Sequence, residues 1–275
     1  MTKQIIDCKG IKNEILNMQK EIIEENNLQP KLLILSVGQD EASQKYVNNK
    51  IKACESVGIV CHLKNFGSDC TEEDLEIEIY DANKRYNSII IQEPLPKHIN
   101  GGLLNNLIRP ELDCDGTSFA NLGFLTKKQT LCIPATPQGI IKMLLMETQL
   151  AGAEVLIVGR SLLVGQPLSI ALTHLDATVT LAHSKTKDLQ EKLSSGRYDI
   201  IISAIGQPKV IKNAKAKVLV DVGINFVDGK MCGDIDIDGC ECEKYTSVPN
   251  GVGQLTVASV VENVVKLTMF QKEGR

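Results

Sequence analysis

The chain has 275 residues, enough for one large or two ordinary domains. Its 43% hydrophobic fraction, with few aromatics and no Trp, suits an aliphatic α/β core. The formal charge of −4 argues against non-specific nucleic-acid binding, which needs a basic surface.

Ile11, Ile15, Met18 and Ile22 recur at helical spacing, so the first predicted element is an amphipathic helix, ended by Asn26, Asn27 and Pro30. A strand follows at Lys31–Val37 and stops at Gly38. A helix over 42–57 closes on Gly58, and a second strand covers 59–66. Thr71-Glu72-Glu73-Asp74 has the form of a capping box, with Leu75, Ile79, Ala82 and Tyr86 on one face behind it. Ser88–Ile91 is a third strand and runs into Gln92-Glu93-Pro94-Leu95-Pro96. This alternation implies parallel βαβ units. Residues 108–135 read as irregular. Thr136 as N-cap and Pro137 as first helical residue then open a helix to about Gln149, where we place the domain boundary. Strands recur at Val155, Thr178, Ile200 and Val218, with a helix near Leu189 and Leu193 and a hairpin turn at Asp228-Gly229. A glycine loop at 249–253 precedes a last apolar helix, 255–268, expected to fold back on the first domain. No internal repeat or low-complexity segment is present.

Nine cysteines, an odd number without regular spacing, read as reduced buried thiols in a cytoplasmic protein. Cys232, Cys240 and Cys242 do not have a zinc spacing, so no metal is expected. The first residues lack the apolar core of a signal peptide, and no run approaches a membrane span.

The stretch that organises the chain is 153–167, A-E-V-L-I-V-G-R-S-L-L-V-G-Q-P. A buried strand ends at Gly159, and Gly165 and Pro167 open a helix. Such a turn exposes backbone N–H groups and a helix dipole to a phosphate. The glycines stand six apart, unlike G-x-G-x-x-G, so a plain strand-to-helix turn is the alternative. The next strand ends at His183-Ser184-Lys185. An NAD-selective fold carries an acid there, about 20 residues past the first glycine. Here Ser184, Lys185 and Arg160 offer donors and positive charge instead, which suits a 2′-phosphate and points to NADP over NAD.

Tyr46 and Lys50 share a helix face. The lysine either snorkels to water or sits in a cleft, where loss of water favours its neutral form. Gln92 to Pro96 follows the C-terminal end of a parallel strand, where ligands bind in open α/β sheets, or is a simple connection. Asp113-Cys114-Asp115-Gly116 is either a solvated turn or a carboxylate acceptor for two adjacent N–H donors of a heterocycle. Asp221-Val222-Gly223-Ile224-Asn225 ends a strand where a nicotinamide would lie, or is a strand-ending turn.

Together these segments resemble the bifunctional methylenetetrahydrofolate dehydrogenase/methenyltetrahydrofolate cyclohydrolases over nearly the whole chain. The carrying motifs are S-Q-K-Y-V-N-N-K at 43–50, Q-E-P-L-P at 92–96, D-C-D-G at 113–116, V-G-R-S-L-L-V-G-Q-P at 158–167, A-T-V-T-L-A-H-S-K-T at 177–186, D-V-G-I-N at 221–225 and P-N-G-V-G-Q-L-T at 249–256. The resemblance implies an α/β protein of two domains with the active-site cleft between them. An N-terminal βαβ catalytic domain, 1–136, binds folate and is completed by the C-terminal helix, 255–275. A Rossmann-like parallel-sheet domain, 137–254, binds NADP. It implies a cytoplasmic homodimer acting on tetrahydrofolate derivatives, with no nucleic acid, membrane or metal. Lys50 is then the catalytic lysine of the hydrolytic step, Gln92 its hydrogen-bond partner, Tyr46 the ring stacked on the folate and Asp115 the holder of the pterin. Gly159, Arg160 and Ser161 bind the cofactor phosphates, with Ser184 at the 2′-phosphate and Ile224 near the nicotinamide. Pro249, Gly251 and Gly253 belong to the substrate loop.

The chain departs from the family pattern at Glu93, usually apolar, at Leu112, usually lysine, at Ala135, usually cysteine, and at 250–255, N-G-V-G-Q-L for G-G-V-G-P-M. Glu93 beside Lys50 would favour the charged amine and oppose a lysine that must shed its proton. The competing readings are a dehydrogenase with weak or absent cyclohydrolase activity, a different NADP oxidoreductase such as a shikimate-type dehydrogenase, and a catalytically silent folate-binding protein.

Overall fold

The computed structural model describes residues 3–38 and 41–274. Its elements begin with β1 (Gln4–Ile5), α1 (Cys8–Glu25), β2 (Lys31–Val37), α2 (Glu41–Ser56), β3 (Val60–Phe66), α3 (Glu72–Ala82) and β4 (Ser88–Ile91). They continue with α4 (Gly101–Leu104), α5 (Phe119–Thr126), α6 (Ala135–Glu147), β5 (Glu154–Val158), α7 (Gly165–Thr173), β6 (Thr178–Ala182) and α8 (Leu189–Ser194). Last come β7 (Ile200–Ser203), β8 (Val218–Asp221), β9 (Asn225–Val227), β10 (Lys230–Cys232), β11 (Lys244–Tyr245) and α9 (Val252–Lys272). Two units emerge, Asn13–Ala135 with Val257–Arg275, and Met1–Lys12 with Thr136–Thr256.

In the first of these units the parallel sheet has the order β3-β2-β4. β2 is central, so Leu32, Leu33, Ile34 and Leu35 are all buried. Successive side chains face opposite ways. Leu32 and Ile34 pack with Val47, Ala53 and Cys54 of α2 and with Val257, Val260, Val261 and Val264 of α9. Leu33 and Leu35 pack with Leu75, Ile79 and Ala82 of α3 and with Leu104. The apolar stretch of α9 therefore has a place to go; each fully buried valine contributes at least about 1.5 kcal/mol. β3, on the sheet edge, is largely exposed. The capping box at Thr71 forms as the sequence predicts, with Thr71 Oγ1 accepting from Asp74 N and the Asp74 carboxylate accepting from Thr71 N.

The other unit holds a six-stranded sheet in the order β1-β11-β8-β7-β5-β6, parallel throughout. Val155, Leu156, Ile157, Ile200, Ile201, Ile202, Leu219 and Val220 are buried, as strands covered on both faces require. The hairpin β9–β10 turns at Asp228-Gly229.

Four expectations change. The irregular stretch 108–135 contains α5, capped by Ser118 Oγ accepting from Asn121 N. Thr136 is not an N-cap: α6 starts at Ala135, and Thr136 Oγ1 instead meets Thr256 Oγ1 at 3.0 Å. α9 runs Val252–Lys272, longer at both ends than the apolar pattern marks. All nine cysteines are free, but Cys61, Cys70 and Cys232 are only half-buried. Burial pushes the Cys8 and Cys132 thiols up to about 12. Among the described residues, no helix is long and apolar enough to cross a membrane, and no group of three His, Cys, Asp or Glu is placed to hold a metal.

Candidate active site

β2 and β4 deliver their C-terminal ends to one edge of the three-stranded sheet, and α2 returns beside them. Lys50, on α2, does not snorkel: it is 4% exposed. Its Nζ donates to Gln92 Oε1 at 3.0 Å and stands 5.1 Å from the centre of the Tyr46 ring. Gln92 is placed by its backbone N–H, which bonds Leu35 O at 2.8 Å, and its Nε2 donates to Glu93 O at 2.6 Å. With both ends of the amide engaged, Oε1 is fixed toward the lysine. The side chains of Ser43 and Lys45, in the same motif, lie outside the described residues.

Glu93 is exposed, and its carboxylate accepts the Leu95 N–H at 3.0 Å. It closes its own loop, and the feared pairing with Lys50 is not formed. Leu112 and Ala135, two further departures, are both buried in apolar clusters.

The two carboxylates of D-C-D-G are not alike. Asp113 is buried and takes three donors from its own chain: Gly116 N at 2.9 Å, Ser118 N at 2.8 Å and Asn121 Nδ2 at 2.9 Å. It builds the turn that starts α5. Asp115 is half-buried, and no hydrogen-bond donor among the described residues reaches its carboxylate. Burial raises its pKa, the Lys50 ammonium opposes the rise, and Asp113 adds to it. Asn263 of α9 steadies this loop by donating to Cys114 O at 2.9 Å and Ile133 O at 3.1 Å.

In the other unit, Gly159 has φ +128°, and a Cβ there would run into Ala204 O. A Cβ on Gly165 would run into Gly159 O. The wide-spaced glycines thus close a tight turn from both sides. Within it Val164 N bonds Ser161 Oγ at 3.1 Å and Gln166 Nε2 bonds Arg160 O at 2.9 Å. The Arg160, Ser161 and Ser184 side chains are exposed. β6 ends in a turn where His183 N bonds Thr186 Oγ1 at 2.8 Å and Lys185 N bonds His183 Nδ1 at 3.1 Å. No carboxylate stands in 182–187. This donor set fits a phosphorylated ribose. Ile224 is 51% exposed.

The segment 248–251 is tightly folded, and the last two residues of the expected glycine loop, Val252 and Gly253, are instead the first of α9. Val248–Pro249 is cis, Asn250 has φ +73°, and a Cβ on Gly251 would run into Ser247 O. Gly253 has open space around it, and Gln254 Oε1 accepts from Lys12 Nζ at 3.1 Å. Sequence reasoning missed Asp113 as a scaffold group and missed Asp234, which is fully buried among loop N–H groups. A Gly-Asp pair after the hairpin was its one local signal.

A family model described as tetrahydrofolate dehydrogenase/cyclohydrolase, catalytic domain, matches residues 6–115. A second, for the NAD(P)-binding domain of the same group, matches residues 134–272. The bifunctional protein FolD of Methanoculleus marisnigri is 38% identical, covering 98% of this chain and 98% of that protein. The solved structure of the bifunctional enzyme FolD from Campylobacter jejuni has a TM-score of 0.92 at 33% identity, over 98% of this chain and 100% of that one. The Trypanosoma brucei methylenetetrahydrofolate dehydrogenase-cyclohydrolase, solved with NADP cofactor and an inhibitor, has a TM-score of 0.90 at 29% identity, over 100% of both chains. The chain belongs to the tetrahydrofolate dehydrogenase/cyclohydrolase family.

Proposed function

We propose that this protein oxidises 5,10-methylenetetrahydrofolate with NADP and hydrolyses the resulting 5,10-methenyltetrahydrofolate to 10-formyltetrahydrofolate. The observation that carries the reading is the buried Lys50, held on Gln92 Oε1 beside the Tyr46 ring. A buried amine with a fixed partner is the tunable proton carrier that hydrolysis requires.

The oxidation asks for positioning more than for acid or base, because the folate nitrogens stabilise the cation left when hydride departs. Tyr46 supplies a ring face for the folate and Asp115 two unmet acceptor oxygens for adjacent pterin N–H donors. Bound NADP supplies the hydride acceptor. Gly159, Arg160 and Ser161 hold its phosphates, Ser184 its 2′-phosphate, and Ile224 offers an apolar surface to the nicotinamide. Pro249 and Gly251 shape the substrate loop, and Gly253 stands in the first turn of α9 that follows it. In hydrolysis, water adds to the methenyl carbon and gives up a proton. The bond from that carbon to the other folate nitrogen then breaks: the leaving nitrogen takes a proton, and the hydroxyl proton departs to solvent as the formyl C=O forms, so one proton is released overall. To take the first proton Lys50 must enter this step as the neutral amine; the ammonium so formed returns a proton to the leaving nitrogen, with Gln92 fixing the position of Nζ.

The test is one mixture: purified protein, methylenetetrahydrofolate, and NADP or NAD, following nicotinamide reduction and methenyl decay separately. Reduction with NADP followed by catalysed decay is expected. No reduction with either dinucleotide sinks the reading, and equal turnover with both sinks the cofactor assignment. We extend the proposal to a homodimer in the cytoplasm, checked by sedimentation of the purified protein and by cell fractionation.

A further inference from the structure

In the six-stranded sheet, the chain leaves β5 first to β6 on one side and then to β7, β8 and beyond on the other. The reversal lies between β5 and β7. Ligands of an open parallel sheet bind outside the C-terminal strand ends at such a point. Two loops leave this edge, 204–207 after β7 and 222–224 after β8, the second running into Asn225 of β9.

Both loops are fastened to one side chain. Asp234 Oδ2 accepts from Ser203 Oγ at 3.0 Å, Ile205 N at 2.7 Å and Gly206 N at 3.1 Å. Its Oδ1 accepts from Gln207 N at 3.0 Å and Asn225 Nδ2 at 3.0 Å. Asp234 is itself pinned, because its own N–H bonds Asp221 Oδ1 at 2.9 Å. The carboxylates sit hard against backbone: a Cβ on Gly223 would run into Asp234 Oδ1, and one on Gly233 into Asp221 Oδ2.

The consequence follows from peptide geometry. In a trans peptide the N–H and C=O of one plane point in opposite directions. Three successive N–H groups, of 205, 206 and 207, are turned to Asp234. The carbonyls of Ala204, Ile205 and Gly206 must therefore point away from it. None of them accepts a hydrogen bond from the described residues, and Ala204 O is the atom that Gly159 leaves room for. Three unmet carbonyls repel phosphate and attract donors. A dinucleotide carries its phosphates on one side and, on the nicotinamide half, ribose hydroxyls and a carboxamide NH2.

We propose that Asp234 is a positioning residue that presents the carbonyls of 204–206 as an acceptor row for the donors on the nicotinamide half of the cofactor. The inference rests on the dehydrogenase reading above. It assigns the two ends of the dinucleotide to opposite backbone polarities, N–H groups at the glycine turn and C=O groups after β7.

The experiment compares two ligands on the full chain, NADP and adenosine 2′,5′-bisphosphate, which lacks the nicotinamide half. Asp234→Asn puts an NH2 where at least two N–H donors converge and releases part of the row. Loss of two hydrogen bonds corresponds to a roughly 10- to 100-fold rise in the Kd for NADP, with the bisphosphate Kd unchanged within about threefold. Asn225→Ala removes a single donor and gives a smaller rise, about two- to tenfold, in the same direction. A merely structural role would weaken both ligands together. Equal loss of both, or no change in either, overturns the proposal. If Asp234→Asn does not fold, an unchanged ratio of the two affinities in Asn225→Ala overturns it. A wild-type protein that binds NADP but leaves methylenetetrahydrofolate untouched sinks the functional reading instead, and the two-ligand comparison still stands.

Discussion

Lys50→Met is the sharpest perturbation of the proposed hydrolysis. Methionine matches the lysine stem in length and polarity of packing, so the apolar contacts of a side chain only 4% exposed are largely kept. What is lost is the ammonium and its 3.0 Å bond to Gln92 Oε1. That acceptor is buried and cannot turn away, since Nε2 is held by Glu93 O. An orphaned buried acceptor costs about 1–3 kcal/mol, and for a chain of this size each kcal/mol lowers Tm by about 2–4 °C. Asp115 also loses the one charge that opposes the rise in its pKa, so its carboxyl moves further up. Removing a proton carrier costs about 10²- to 10⁴-fold in rate. The assay is decay of methenyltetrahydrofolate, corrected for buffer hydrolysis, beside urea unfolding of the same preparation. The dehydrogenase rate is expected to fall less than the hydrolytic one. A folded Lys50→Met protein hydrolysing at the wild-type rate would remove Lys50 from the mechanism, and with it the main support for the second activity.

Ser184→Asp places a carboxylate at the end of β6, and the ratio of kcat/KM for NADP to that for NAD should fall about 100-fold; an unchanged ratio would show that the 2′-phosphate lies elsewhere. Asp113→Ala leaves three donors unmet, so unfolding should come about 3 kcal/mol or more sooner in urea, and a loss under about 0.5 kcal/mol would contradict the scaffold role. Burial pushes the Asp221 carboxyl from 3.8 up to about 6, against the pull of three backbone N–H groups and aided by Asp234. The unfolded chain releases that proton first, so this group's contribution to stability is full below about pH 4 and lost by about pH 6, a change of order 3 kcal/mol. Urea midpoints across that window should fall more steeply in the wild type than in Asp221→Asn, and parallel curves would rule the titration out.

Sequence pattern reached the elements whose cause is local. The continuous apolar runs of β2, β5 and β7 mark strands buried on both faces. The Thr71 capping box and the Asp228-Gly229 turn are written in four residues or fewer. α5 escaped because its sequence, F-A-N-L-G-F-L-T, carries an internal glycine and leaves Phe119 and Phe124 exposed, so it shows little amphipathic stripe. Its start is set by Ser118 Oγ accepting from Asn121 N and by Asp113, five residues upstream, which takes the Ser118 N–H. Thr136 looked like a cap because Thr-Pro is a common helix opening, yet its hydroxyl is spent on Thr256, 120 residues away. At the site, the lysine–tyrosine face was legible from spacing, whereas the choice between snorkelling and burial was not. That choice depends on Gln92, which lies 42 residues on.

The same limit explains the carboxylates. Asp113, Asp115 and Asp234 are one residue type, each set in a glycine-flanked stretch, and nothing local distinguishes them. Donor accounting does. Asp113 and Asp234 are saturated by three and five donors of their own chain, so they fix loops and have nothing left to offer a ligand. Asp115 has lost water without gaining a donor, and its raised pKa records that deficit. A group left short in the free protein gains more from a ligand that brings two N–H donors than a satisfied one can, because binding then supplies bonds that folding withheld. Scaffold and recognition carboxylates are told apart by what already reaches them, and on that criterion Asp115 is the one of the three with acceptor oxygens left for a ligand, as the proposed pterin contact requires.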